Sequence, residues 1–181
     1  MKGIVFTELQ DLVDSLFGDD MWDDVLDACD LESGGAYTAV ATYDHQELLQ
    51  IVSELSKRSD IPVKDLVKKY GHHLFGRFYA LMPHFFENPQ NSFEFLESVH
   101  NYIHVEVKKL YPDASLPSFA TERKGGEVLI MTYNSTCPFA DFAAGLISGC
   151  IDHYGEDIDT SYVDHNSPGE YNRVFTLVKN G

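Results

Sequence analysis

The sequence predicts an α+β fold, in which an N-terminal helical part precedes a small antiparallel sheet that carries helices. Apolar residues recur at helical spacing through the first two thirds of the chain, and after Pro117 the period changes from 3.6 to 2. Gly125-Gly126 separates two of the period-2 segments, as in a β-hairpin. The 181 residues suffice for one domain, and we predict a helical lobe over about residues 1–60 and a second lobe over about residues 61–181.

The helices of the first part are predicted from apolar residues that repeat every three or four positions. Gly18 closes the first helix, Gly34-Gly35 ends the second, and Gly71 interrupts the fourth. Asp44 together with Glu47 resembles a capping box at the start of the third helix. The predicted apolar segments are residues 5–16, 21–29, 48–55, 63–70 and 74–81.

The most informative segment is a long helix predicted over residues 93–110, which carries His100 and His104 and ends at Tyr111-Pro112. On a helical wheel, His100 lies near the centre of the apolar stripe and His104 lies at its edge. The segments that follow are predicted as strands over residues 118–123 and 127–133, a helix over 138–154, and strands over 158–163 and 171–178.

The chain is strongly acidic, because 29 Asp and Glu residues against 13 Lys and Arg residues give a formal net charge of −16. This charge repels phosphate backbones and anionic membrane surfaces, so we expect neither nucleic acid nor a membrane as a partner. Cys29, Cys137 and Cys150 are widely spaced and favour a reduced intracellular setting. Since we find no cleavage signal and no apolar run of about 18 residues, we expect a cytoplasmic location.

His100 and His104 are four residues apart, so they lie on neighbouring points of one helical face. The spacing alone allows two interpretations: hydrogen-bonded histidines on a partly buried face, or ligands of a metal. A two-histidine zinc site needs further ligands, and this pattern lacks the glutamate of a metalloprotease motif. Periodicity does not choose between the two interpretations.

A wider pattern around the long helix resembles the H-NOX family, the haem–nitric oxide/oxygen binding domains related to the haem domain of soluble guanylate cyclase. The resemblance extends over essentially the whole chain. The residues that carry it around the helix are His104-x-x-Val107-x-x-Leu110-Tyr111-Pro112, followed by Leu116-Pro117-x-Phe119. Further similar segments are Met1-Lys2-Gly3, Tyr43-Asp44-His45 and residues 74–78.

The resemblance implies a haem b (iron protoporphyrin IX) between the helical part and the sheet, with His104 as the iron ligand. A neutral imidazole is an ordinary ligand for iron. The family's Tyr-x-Ser-x-Arg motif holds the two haem propionates; Tyr133 and Ser135 match it, whereas Cys137 replaces the arginine. Because arginine pairs with a carboxylate through two charged hydrogen bonds and a thiol is a weak donor, we expect weaker propionate anchoring and easier haem loss.

The resemblance also predicts which gas binds. Oxygen-binding relatives hold O₂ with a distal tyrosine, and an alignment from Tyr133 through residues 145–147 places Phe142 at that position. Phenylalanine has no hydrogen-bond donor, so the predicted pocket binds NO and CO but not O₂. Taken singly, each lining residue is equally consistent with ordinary core packing. The predicted lining residues are Val5, Leu9, Leu74, Phe78, Phe142 and Leu146.

We expect a sensor and not an enzyme, because the sequence contains no nucleophile elbow, P-loop or paired-carboxylate motif. The resemblance implies that NO weakens or breaks the bond between iron and His104, and that the haem then relaxes against Pro117, which distorts the porphyrin in the family. The signal would pass to a separate partner, commonly a histidine kinase or a cyclic-di-GMP enzyme in bacterial relatives. The alternative is a haem-poor or haem-independent regulatory module that uses Cys137 as a thiol or redox switch.

Overall fold

The computed structural model describes residues 1–180. These residues contain seven α-helices and one four-stranded antiparallel sheet. The predicted α+β fold is therefore confirmed. No helix among these residues is long and apolar enough to cross a membrane. The helices are α1 (Ile4–Phe17), α2 (Asp19–Asp27), α3 (His45–Ser59), α4 (Val63–Leu81), α5 (Ser92–Ser98), α6 (His104–Leu110) and α7 (Ala140–Tyr154). The strands are β1 (Ser118–Lys124), β2 (Val128–Ser135), β3 (Ile158–Asp164) and β4 (Tyr171–Lys179).

The sheet has the strand order β1-β2-β4-β3, and each neighbouring pair is antiparallel. In this register Tyr133 lies opposite Phe119 on one side and opposite Arg173 on the other. Gly125 in the turn between β1 and β2 has a φ of +65°, a left-handed conformation that glycine adopts without strain. The predicted hairpin and the predicted strands are confirmed to within two residues at each end.

Helices α4 and α7 cross at glycines and approach each other more closely than other residues would allow. A Cβ atom on Gly71 would lie 2.3 Å from the Phe142 carbonyl oxygen, and one on Gly145 would lie 2.0 Å from the Lys68 carbonyl oxygen. The predicted interruption of α4 at Gly71 is wrong, because this helix continues through Gly71 from Val63 to Leu81. Packing against α7 outweighs the cost of about 1 kcal/mol that glycine carries inside a helix.

Asp44 is the N-cap residue of α3, and its side chain accepts a hydrogen bond of 2.9 Å from the Gln46 backbone N–H. Glu47 does not complete the predicted capping box. Its carboxylate instead accepts hydrogen bonds from the Ser33 backbone (3.0 Å), the Ser33 hydroxyl (2.5 Å) and the Tyr37 hydroxyl (2.6 Å). Burial would raise the pKa of Glu47, but these hydrogen bonds outweigh it and lower the pKa. Glu47 therefore anchors the loop between α2 and α3.

The predicted long helix is helical throughout, but it consists of α5, a π-helical turn at Val99–Ile103, and α6. A π turn contains one more residue than an α-helical turn, so it rotates the residues that follow it about the helix axis. His104, which follows the turn, is partly buried, and His100, which lies within it, is exposed. The helical-wheel placement of the two histidines is therefore wrong, as is that of Leu110, which is 67% exposed.

The buried apolar side chains form two clusters. The first cluster packs helices α1, α2, α3 and α4 together and includes Phe6, Leu9, Tyr70 and Leu74. The second lies between the sheet, α5 and α7. Leu146 on α7 packs against both clusters, so the middle of α7 lies at the boundary between them. The second cluster includes Phe75, Phe93, Leu96, Leu129, Met131, Tyr133, Ile147, Phe175 and Leu177.

Candidate functional site

His104 is the first residue of α6 and follows the π-helical turn directly. Its Nδ1 atom is buried and has no hydrogen-bond partner within residues 1–180. Burial lowers the pKa of His104 to about 4; the neighbouring His100 adds to this lowering, and the backbone of Pro117 partly offsets it. The imidazole is therefore neutral near pH 7, which is the form that binds a metal.

Phe119 at the start of β1 brings the helix and the sheet together beside His104. Its ring centroid lies 5.7 Å from that of His104 and 5.7 Å from that of Tyr133. Its backbone N–H donates to Nδ1 of His100 across 3.4 Å. The structure thus brings together three of the predicted site residues, His104, Pro117 and Tyr133, and gives His100 a separate contact.

The end of β2 and the tight turn that follows it carry Tyr133, Ser135 and Cys137. The Tyr133 hydroxyl donates to the Cys137 carbonyl across 3.2 Å, and the Cys137 backbone N–H donates to the Ser135 hydroxyl across 3.0 Å. Burial raises the pKa of Tyr133, so its hydroxyl keeps its proton. Ser135 also borders a polar cleft of about 540 Å³ between β2, the start of β1 and the turn before β4. The Cys137 backbone is therefore part of the hydrogen bonding of this motif, while its side chain brings no permanent charge.

Arg173 is a buried cation next to this motif that the sequence reasoning missed. Its guanidinium donates to Asp164 across 2.5 and 2.9 Å and to Asp141 across 2.6 Å. Burial would lower the pKa of Arg173, but the hydrogen bonds with these two carboxylates outweigh it and raise the pKa. Since two carboxylates already balance its charge, Arg173 is a poor substitute for the missing arginine. The sequence did contain a signal for it. Arg173 alternates with Phe175 and Leu177 along the predicted strand, and therefore occupies a position on the buried face where an apolar residue is expected.

The six predicted pocket residues all belong to, or pack against, the first apolar cluster. Leu9 and Leu74 are 2% and 0% exposed, and the other four are partly buried. None of the six has a polar side chain. Tyr70, which the sequence reasoning also missed, lies beside them with its ring centroid 5.3 Å from that of Phe142. Its hydroxyl donates to the Val5 carbonyl.

The candidate residues fit a haem in two respects, at His104 and at the six predicted apolar lining residues. A neutral imidazole whose buried nitrogen has no partner among residues 1–180 suits an iron ligand, and partly buried apolar side chains from three helices suit the faces of a porphyrin. At the propionate end, Cys137 departs from the expected pattern. The α+β fold and the candidate site are those expected of a haem-binding domain.

A family model described as Haem-NO-binding matches residues 2–162 of this chain. The chain is 36% identical to the unliganded Fe(II) H-NOX protein from K. algicida, with a TM-score of 0.94 over 100% of this chain and 97% of that one. It is 40% identical to the H-NOX from Shewanella woodyi in the Fe(II)CO ligation state, with a TM-score of 0.84 over 99% and 95% of the two chains. A mutant H-NOX protein from S. oneidensis in the Fe(II) ligation state is 25% identical, with a TM-score of 0.91 over 100% and 97%.

The chain belongs to the Haem-NO-binding, or H-NOX, family of haem-based gas sensors. The predicted family membership is therefore confirmed.

Proposed function

We propose that this chain is a sensor that holds ferrous haem b, binds NO and CO but not O₂, and signals to a separate protein. Two observations carry the proposal: a buried His104 nitrogen that has no partner among residues 1–180, and six apolar side chains that belong to or pack against the first cluster. Haem supplies the iron at which a diatomic gas binds. The protein supplies the axial imidazole and the apolar surroundings.

His104 is the proposed iron ligand, and its lowered pKa supports this role because a protonated imidazole cannot bind a metal. Tyr133 and Ser135 are the proposed hydrogen-bonding groups for the propionates. Pro117, whose backbone interacts with His104, is the proposed contact with the porphyrin. Cys137 adds no charge at the propionate end, so the protein relies on apolar contacts and on His104 more than a relative with arginine does.

The proposed gas selectivity follows from the chemistry of the pocket. Bound O₂ carries negative charge and gains much from a hydrogen-bond donor, whereas NO and CO depend on a donor less. The side chains of Val5, Leu9, Leu74, Phe78, Phe142 and Leu146 offer no donor. The Tyr70 hydroxyl, which lies beside them, donates to the Val5 carbonyl.

The proposed signal is the release of His104 when NO binds, which frees α6 and the π-helical turn before it. Such a segment has two states whose balance a ligand shifts, as a sensor requires. The proposed partner is a histidine kinase or a cyclic-di-GMP enzyme, and the proposed role is regulatory and not catalytic. We also propose a cytoplasmic location, which the three free cysteines support.

Absorption spectroscopy tests the proposal. The purified protein, reconstituted with haem and reduced, should show an intense Soret band that shifts when NO or CO is added. In air-saturated buffer the band should not shift until the ferrous haem is oxidised. A protein that stays colourless after reconstitution would rule out haem-dependent sensing and favour the thiol switch at Cys137.

A further inference from the structure

Tyr70 connects the three helices that line the predicted gas pocket. It lies on α4 and is only 1% exposed. Its hydroxyl donates to the carbonyl of Val5 in the first turn of α1, 65 residues away in sequence. Its ring lies 5.3 Å from that of Phe142 on α7, with an interplanar angle of 41°.

The hydrogen bond from Tyr70 reaches the first turn of α1, which the loop before α3 also holds through backbone hydrogen bonds. Gly3, the N-cap residue of α1, provides no side-chain cap. The backbone N–H groups of Gly3 and Ile4 instead donate to the Ala41 and Ala39 carbonyls across 2.8 and 3.0 Å, so partners outside the helix hold this end of α1. Val5 itself is only partly buried. The Tyr70 hydroxyl therefore joins this end of α1 to α4, while the loop before α3 holds it by separate hydrogen bonds.

The backbone next to Tyr70 is held closely against α7. The next residue, Gly71, lies so close to α7 that a Cβ atom there would be 2.3 Å from the Phe142 carbonyl oxygen. Helix α4 therefore has little freedom to rotate or to move toward α7. A buried phenol needs a hydrogen-bond partner, and burial raises the pKa of Tyr70 well above its ordinary value, so the hydroxyl keeps its proton.

We propose that Tyr70 is a positioning residue for gas binding: by tying the Val5 carbonyl to α4, it limits how fast a gas enters and leaves the pocket. The inference rests on the proposed function of the pocket. The same hydrogen bond uses the only proton of the phenol, so Tyr70 is not a donor for bound O₂. Tyr70 thus supports the selectivity of the pocket without touching the gas.

The test compares Tyr70→Phe with Tyr37→Phe, which is a matched control. Tyr37 also belongs to the helical part, stacks on Phe6 with 4.4 Å between ring centroids, and donates its hydroxyl proton to Glu47 across 2.6 Å. Both variants lose one partly buried hydroxyl hydrogen bond and keep the ring. Only Tyr70→Phe loses a bond to a residue of the predicted pocket.

Flash photolysis of the CO complex of the reduced, haem-loaded proteins gives the association rate, and displacement of CO by NO gives the dissociation rate. For Tyr70→Phe we expect both rates to rise by about threefold to tenfold, which is the scale of one lost hydrogen bond. The CO dissociation constant should stay within about twofold, because entry and exit change together. For Tyr37→Phe both rates should stay within about twofold of the parent, and neither variant nor the parent should form an O₂ complex.

Several results would overturn the inference. Equal CO rates in the parent and in Tyr70→Phe would show that the hydrogen bond does not control access. Equal increases in both variants would show a general loss of stability. An O₂ complex in the parent that is lost in Tyr70→Phe would make the phenol a donor to the gas. A parent that takes up no haem would remove the proposed function first and this inference with it.

A second measurement applies if Tyr70→Phe does not fold. Proton NMR of the parent in its CO complex should contain a slowly exchanging phenol proton of Tyr70, with a nuclear Overhauser effect to the first turn of α1. A rapidly exchanging phenol proton without that contact would overturn the inference.

Discussion

The rings of His104 and Phe119 lie 5.7 Å apart, centroid to centroid, while the backbone N–H of the same Phe119 donates to His100 across 3.4 Å. One residue at the start of β1 thus contacts both histidines of the long helical segment in different ways. His104 presents a partly buried imidazole with a nitrogen that has no partner among residues 1–180, and His100 is an exposed acceptor for the strand. The two residues should therefore differ sharply in what their removal does.

We expect His104→Gly to lose haem during purification and to regain it when free imidazole is supplied, because imidazole can fill the space of the missing side chain. His100→Gly should keep haem at the level of the parent. The measurement is the haem-to-protein ratio from the Soret and 280 nm absorbance, with and without imidazole. Haem loss in His100→Gly together with full haem in His104→Gly would mean that the other histidine is the iron ligand.

Cys137→Arg should slow the transfer of haem to apomyoglobin by about tenfold to a hundredfold, since a charge-assisted pair with a carboxylate is worth about 1.5–3 kcal/mol. Cys137→Ser is the matched control, because it removes the thiol without adding charge, and its transfer rate should equal that of the parent. An unchanged rate in Cys137→Arg would show that propionate anchoring does not limit haem retention. A changed gas response in Cys137→Ser would point to a role for the thiol itself.

Phe142→Tyr should give the reduced protein a measurable affinity for O₂, because it places a hydroxyl donor on α7 among otherwise apolar pocket residues. One new hydrogen bond of about 1–1.5 kcal/mol corresponds to about a tenfold gain in affinity. The absorption spectrum in air-saturated buffer measures it, and Phe142→Leu, which adds no donor, serves as the control. If both variants behave alike, Phe142 does not face the gas.

Glu156→Gln should lower stability at neutral pH, and the difference should shrink in acid. Burial would raise the pKa of Glu156, but hydrogen bonds from Lys179 (2.5 Å) and from Ser92 outweigh it and lower the pKa. A carboxyl group whose folded pKa is lowered adds stability above its unfolded pKa of about 4.3, and that stability is lost as pH falls through the folded pKa.

Urea unfolding of the haem-free protein from pH 7 to pH 3 measures this effect. Glu156→Gln should be less stable than the parent by about 1–2 kcal/mol at pH 7, and the difference should shrink as the pH falls toward 3. The exposed Glu32 provides the control, because Glu32→Gln should change little at any pH. A constant difference across the pH range would assign the loss to packing and not to charge.

Much of the fold could be predicted from local sequence patterns. The change of period at Pro117, the Gly125-Gly126 turn and the alternation along β2 and β4 concern residues that are close in sequence, so they predicted the strands to within two residues. The prediction that Gly71 interrupts a helix failed because its cause lies elsewhere in the chain. The nearest atoms to this glycine belong to Phe142, Leu146 and Gly145 on α7.

The candidate site divides in the same way. The sequence by itself determined the α+β order of elements, and its resemblance to the family predicted both the membership and His104 as the iron ligand. Only the tertiary structure decided that His104, which follows the π turn at Val99–Ile103, is partly buried and that His100, which lies within it, is exposed. It also decided that Tyr70 meets Val5 and that Arg173 meets two carboxylates. The physical reason is that hydrophobic period reflects local backbone geometry, whereas burial and hydrogen-bond partners depend on groups that are far apart in the chain and meet only after folding.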